Sequence, residues 1–265
     1  FRALCKLSSK ELPVEKEGAT PTPRLFSTAS GQDPLALHSK ILALELILAA
    51  FDFCGEAFYN GERFIHLVQH YLCVSLLKNC MSNHTQVAFL SQKIFLVLVY
   101  KFKVHLKQEI EVFLSNIFLR VLDSPNASFK QKALVLESLR SLCQDAGLLT
   151  QLFLHYDCDM SAMNLYKDIV LQLTRLAGKA TSNPNRTEQE WELSLAGLEV
   201  LVTILKSNLR SLGLPVSKDD DADDKAGAKI RGMLNLDIGP AVVSKTPDAD
   251  AASNDTSSLG DDISL

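Results

Sequence analysis

The 265-residue sequence has no CxxC pair, no glycine-rich phosphate loop and no uninterrupted apolar run of the roughly 20 residues needed to cross a bilayer. Its most apolar stretches, "ILALELILAAF" and "KIFLVLVYKF", are shorter and carry Glu45 or lysines, so no membrane span is expected. The six cysteines, Cys5, Cys54, Cys73, Cys80, Cys143 and Cys158, are scattered through apolar or helical surroundings. That distribution suits reduced thiols packed as small hydrophobes and argues against a disulfide framework. The chain opens on Phe1 with no basic segment, short apolar stretch and small-residue cleavage site after it, and is read as a piece of a longer protein.

Strong positive charge is also missing. The net charge is −4, and from Val216 onward there are eleven Asp against five Lys or Arg, which leaves the preceding part near neutral. A near-neutral body has no electrostatic footprint for nucleic acid. No helix combines a basic face with a strongly apolar one, and Lys101, Lys103 and Lys107 form only a small cluster, so membrane contact is expected to be indirect, through protein partners.

No period-two, β-branched run bounded by hairpin turns is present, whereas apolar residues at three- and four-residue spacing recur along most of the chain. The spacing predicts a short helix at "FRALCKL", a loop over 9–33, then helices from Pro34 to Gly55 and at about 62–80, 84–103, 106–123, 128–144, 146–156, 161–178 and 187–211. Asp33 before Pro34 reads as an N-cap with proline at the first helical position, and Thr187 with Glu190 has capping-box spacing.

Long helices joined by short loops pack antiparallel, with a pair about every 40 residues as in stacked repeats. The expected fold is therefore all-α: an armadillo- or HEAT-like right-handed stack over 34–212, preceded by a short helix and loop over 1–33. After Pro215 every aromatic residue is lost and Asp, Ala, Ser, Gly and Lys dominate, so 213–265 is expected to be a disordered acidic linker. Within it "KIRGMLNLDIG" is a short apolar island, read first as an accident of linker composition and second as a docking peptide.

Candidate chemistry concentrates in "HYDCDMSAMNLY", His155 to Tyr166. Asp157, Asp159, Ser161 and Asp168 occupy the first, third, fifth and twelfth places of an EF-hand loop. Position six is Ala162 rather than glycine and position twelve lacks the bidentate glutamate, so calcium is not expected. Two carboxylates beside Cys158 disfavour a thiolate. His66, His70 and Cys73 share one face of a helix at metal-ligand spacing, but "HLVQH" lacks the glutamate of HExxH and no further ligand is announced. No metal, cofactor or enzymatic activity is expected. Asp157 and Asp159 read instead as acids at a helix joint, each accepting N–H bonds from the start of the next helix. Asn164, Asp168 and Arg175 then line a polar stripe opposite Leu165, Ile169, Leu173 and Leu176, a possible partner-binding face.

The stretch "YDCDMSAMNLYKDIVLQLTRLA" resembles the HUS box of the large Arf guanine-nucleotide exchange factors of the BIG and Golgi Sec-seven type, with Tyr156, Asp157, Cys158, Asp159 and Asn164 on the box positions. "FRALCKLS", "KFKVHLKQEIEVFLSNIFLRVL" and "GLEVLVTILK" resemble the flanking segments in the same order. The sequence departs at His155, where that family usually has asparagine, and from Pro215 onward no resemblance is seen.

The resemblance implies an α-helical regulatory module, upstream of an exchange domain that this sequence does not contain. It implies control of autoinhibition and dimer contacts, and recruitment to trans-Golgi membranes from the cytoplasm. The implied partners are the N-terminal dimerisation and cyclophilin-binding domain and Arf-family or related small GTPases, and the implied box role is to stabilise the joint and support contact with the preceding domain. An unrelated armadillo or HEAT scaffold, such as a transport adaptor, stays open as the alternative.

Overall fold

A computed structural model describes residues 1–12, 34–182 and 187–214, the side chains of 179–182 excepted. Among the described residues every element is a helix. They are α1 (Arg2–Ser8), α2 (Pro34–Phe53), α3 (Glu56–Asn60), α4 (62–79), α5 (Thr85–Phe102), α6 (107–123), α7 (Phe129–Gln144), α8 (146–157), α9 (Leu165–Ser182) and α10 (Glu188–Ser211). The loop expected before Pro34, the Asp33 cap and the tail beyond Pro215 lie outside the described residues.

The expected capping box is present: Thr187 Oγ1 accepts from Glu190 N at 3.3 Å and Glu190 Oε2 accepts from Thr187 N at 2.9 Å. A second box, Ser128 with Gln131, starts α7. Helices then pack in series, α2 on α5, α5 on α7, α7 on α10 and α10 on α9. Between them runs a continuous apolar core in which Phe95 stacks on Phe113 at 4.4 Å and meets Phe118 edge-on at 5.3 Å. At 20 residues, α2 is long and apolar enough to cross a bilayer by length and composition, against the sequence expectation, yet its Ala43, Leu44, Ile47 and Phe51 are buried in this core. The first helix is pinned by polar bonds, Asn79 Nδ2 donating to Ser8 O at 3.0 Å beside the Ser8–Ser75 hydroxyl pair at 2.8 Å.

Three departures from the sequence reading matter for the site. First, α4, α6 and α8 each contain a π-helical stretch, Val68–Cys73, Leu114–Leu119 and Phe153–Asp157. A π turn inserts one residue and rotates everything after it relative to an α-helix, so face assignments made at 100° per residue drift across it. That is why Cys73 is buried, at 4% exposure, rather than lined up with exposed His66 and His70. Second, 56–60 forms the separate helix α3. Third, α9 begins at Leu165 instead of near Ser161, because 158–164 is spent in turns.

Burial pushes the Cys5 thiol up to about 11 and those of Cys73 and Cys143 to about 12, in keeping with packed, unreactive thiols.

Candidate functional site

The box residues form a joint among α6, α8 and α9. The π turn that ends α8 closes with Cys158 N donating to Phe153 O at 3.1 Å. It turns Tyr156 inward, where it is 5% exposed and its hydroxyl donates to the Lys107 carbonyl at 2.9 Å. Lys107 is the first residue of α6, and its ammonium also lies 5.7 Å from the Tyr156 ring centroid. Burial, with Glu111 and Glu109 nearby, pushes the Tyr156 phenol upward, so it stays a hydrogen-bond donor at neutral pH.

The two aspartates do different jobs. Asp157 accepts from Tyr166 N at 2.8 Å and Lys167 N at 3.0 Å, the second and third N–H groups of α9. Asn164 holds the N-cap place by backbone, its carbonyl accepting from Asp168 N at 2.9 Å, while the capping carboxylate arrives from a residue seven positions earlier. Asp159 does not cap α9 as the sequence reading expects. One of its oxygens accepts from Ser161 N and Ser161 Oγ, at 2.9 and 2.7 Å, and the other from Lys107 Nζ at 2.5 Å. Both oxygens of this carboxylate are thus engaged by its own turn and by a lysine rather than by the start of the next helix.

Lys107 therefore bonds the joint twice, through its carbonyl and its ammonium, and Glu111 adds a bond from Met163 N at 3.3 Å. The sequence pattern marks neither residue as part of the box and places Lys107 in a basic cluster. That cluster is only partly kept: Lys107 is on Asp159 and borders the same small cavity as Lys103, while Lys101 lies over the Tyr59 ring at 5.6 Å. The one clue was that Lys107 lies inside the flanking stretch whose resemblance runs in order with the box. On the far side, Tyr166 packs edge-on against Phe153 at 5.7 Å and its hydroxyl accepts from Asn208 Nδ2 of α10 at 2.8 Å.

Leu165, Ile169, Leu173 and Leu176 are buried, with Asn164 and Arg175 exposed and Asp168 half-buried on the other side. Asn164 borders a shallow groove with Phe153, Lys167, Val170 and Leu171. Cys158 is exposed and free, and His155 is exposed at the mouth of a small cavity beside Lys103 and Lys107. Among the described residues no group of three or more His, Cys, Asp or Glu could hold a metal.

The Lys107 ammonium, then the Ser161 hydroxyl and N–H, hold the Asp159 carboxyl well below the usual carboxylate range. A depressed folded-state value means the stabilisation is complete above the ordinary aspartate range and is lost as pH falls through the lowered value. NMR titration of this carboxyl should give a midpoint below that of a free aspartate, and Lys107→Met should move it upward. An unchanged midpoint in the variant would remove Lys107 as the principal cause.

Residues 1–165 match the family described as Mon2/Sec7/BIG1-like, HUS domain. The matched region ends one residue after the box. Brefeldin A-inhibited guanine nucleotide-exchange protein 1 of Rattus norvegicus is 39% identical over 208 residues, taking in 78% of this chain and 11% of that protein; the Homo sapiens protein of the same name is also 39% identical, over 78% of this chain and 10% of its own length. Brefeldin A-inhibited guanine nucleotide-exchange protein 2 of Arabidopsis thaliana is 36% identical over 248 residues, 91% of this chain and 13% of that protein. The chain thus spans about a tenth of the length of these relatives. A match that takes in 91% of the chain reaches past Pro215 wherever it is placed, so the tail is not without counterpart, as the sequence reading had it.

Proposed function

The chain belongs to the Mon2/Sec7/BIG1-like HUS domain family, and on that premise we propose that it is a non-catalytic regulatory and interaction module of a large Arf guanine-nucleotide exchange factor. Family membership removes the alternative of an unrelated scaffold. In this reading the helices form an armadillo-like right-handed stack, and the module works from the cytoplasm on trans-Golgi membranes. There it governs autoinhibition, interdomain or dimer contacts and recruitment for vesicle transport. Its partners are the N-terminal dimerisation and cyclophilin-binding domain and an Arf-family or related small GTPase, with membrane contact made through them.

The observation that carries the reading is the use to which the box is put. Tyr156, Asp157 and Asp159 spend their polar groups on Lys107, on Ser161 and on the N-terminus of α9, which is the use of a structural joint. Such a joint sets the angle of α9 against α6 and α8. The surface it carries, a shallow groove in which Asn164, Lys167 and Thr174 border Phe153, Val170 and Leu171, suits a protein partner better than a small molecule.

Asp157→Ala tests it. Loss of the cap should lower unfolding free energy by about 0.5–2 kcal/mol and weaken binding to the separately produced N-terminal dimerisation domain. Unchanged stability together with unchanged binding would remove the box from the function proposed here.

A further inference from the structure

The last helix leaves a second apolar face uncovered. Leu195, Leu198, Val202, Leu205, Leu209 and Leu212 recur at alternating three- and four-residue steps along α10 and all are exposed, Leu205 at 62% and Leu212 at 73%. The opposite face, with Ala196, Val200 and Ile204, is the one buried against α7, α8 and α9. A three-four repeat is the spacing of a helix seam that meets a partner, and a row this long exceeds the scattered apolar exposure of an ordinary surface.

We propose that Lys229–Gly239 of the same chain, "KIRGMLNLDIG", docks along this stripe. It carries five large apolar side chains, Ile230, Met233, Leu234, Leu236 and Ile238, more than any other stretch of the acidic and small-residue tail. As a helix it would place Ile230, Met233, Leu234 and Ile238 on one side; as a strand, Leu234, Leu236 and Ile238. The 215–228 connection, fully extended, reaches about 50 Å, and α10 with its 24 residues is about 36 Å long, so the segment can return to any part of the stripe.

The stripe itself runs about 26 Å and is about one helix diameter wide, a footprint on the order of 300 Å². A stable complex between separate molecules uses about 800 Å² on each side. A face of this size is therefore too small to hold a second copy by itself, but sufficient for a tethered segment whose effective concentration is in the millimolar range. The Arabidopsis thaliana match spans this segment too, because it leaves fewer residues outside it than follow Gly239.

The test places the photo-crosslinking residue p-benzoylphenylalanine at Leu205 of the full chain, an exposed position that leaves the core intact. Irradiation followed by mass spectrometry should give an intrachain product mapping to 229–239. Met233→Asp combined with Leu234→Asp should cut its yield at least tenfold, with the helical circular dichroism unchanged. A product of doubled mass would assign the stripe to a second copy. That result, a product elsewhere, no product, or a yield indifferent to the two aspartates would each overturn the proposal.

Discussion

Tyr156→Ala should lower the unfolding free energy by about 3–5 kcal/mol, as expected for removing a buried aromatic ring from a packed core. Tyr156→Phe should cost only about 1 kcal/mol, the net worth of one hydrogen bond. The two values separate the roles of the side chain. Its ring closes the space between α6 and α8 at 5% exposure, and its hydroxyl reaches the Lys107 carbonyl at 2.9 Å. In a domain with a typical total stability of about 5–15 kcal/mol, the alanine variant would lose about a fifth of it or more. Denaturant unfolding of the three proteins side by side is the measurement. Equal losses for the alanine and phenylalanine variants would make the hydrogen bond, rather than the ring, what holds the joint, and no loss for either would leave the box without a structural centre.

The helices were legible because their cause is local. Apolar residues at three- and four-residue spacing, Ser or Thr three residues ahead of Gln or Glu, and polar breaks at 82–84 and 124–125 are all written within a few positions of the elements they start or stop. The π turns were not legible, since one inserted residue changes neither composition nor the run of apolar side chains, only their phase. The joint was half legible for the same reason. Asp157 and Asp159 look alike in sequence, two residues apart beside a helix start, and both fit a cap. What separates them is long-range. Lys107, 52 residues earlier in the chain, claims Asp159, while Asp157 reaches forward across nine residues to Tyr166 N. With Asp159 held in its turn, the helix cannot begin at Ser161, and it starts at Leu165, where Asp157 meets it. The polar stripe of Asn164, Asp168 and Arg175 was readable because it depends only on the phase of α9, which no π turn disturbs.

Gly197→Val should destabilise the domain by about 1–3 kcal/mol, whereas Gly197→Ala should stay within about 1 kcal/mol of the parent. Gly197 lies where α10 crosses α9. A Cβ built there would stand 3.2 Å from Leu176 Cδ2 and 3.7 Å from the Leu173 carbonyl oxygen, while Ser194 Oγ donates to Leu176 O at 3.0 Å one turn before. For alanine, the first contact is with the end of a flexible side chain that can shift by a few tenths of an ångström. The roughly 1 kcal/mol by which alanine is favoured over glycine in a helix opposes the cost. Valine adds two rigid methyl groups on the same carbon, and the space ahead of them ends at backbone. The helices must then separate, and the separation is felt at the box, because α9 is held at its first turn by Asp157 on one side and by the Tyr166–Asn208 bond on the other. Hydrogen exchange should therefore show the first turn of α9 losing protection in Gly197→Val and keeping it in Gly197→Ala. Valine tolerated as well as alanine, in both stability and exchange, would mean that the α9–α10 contact has slack and does not position the joint.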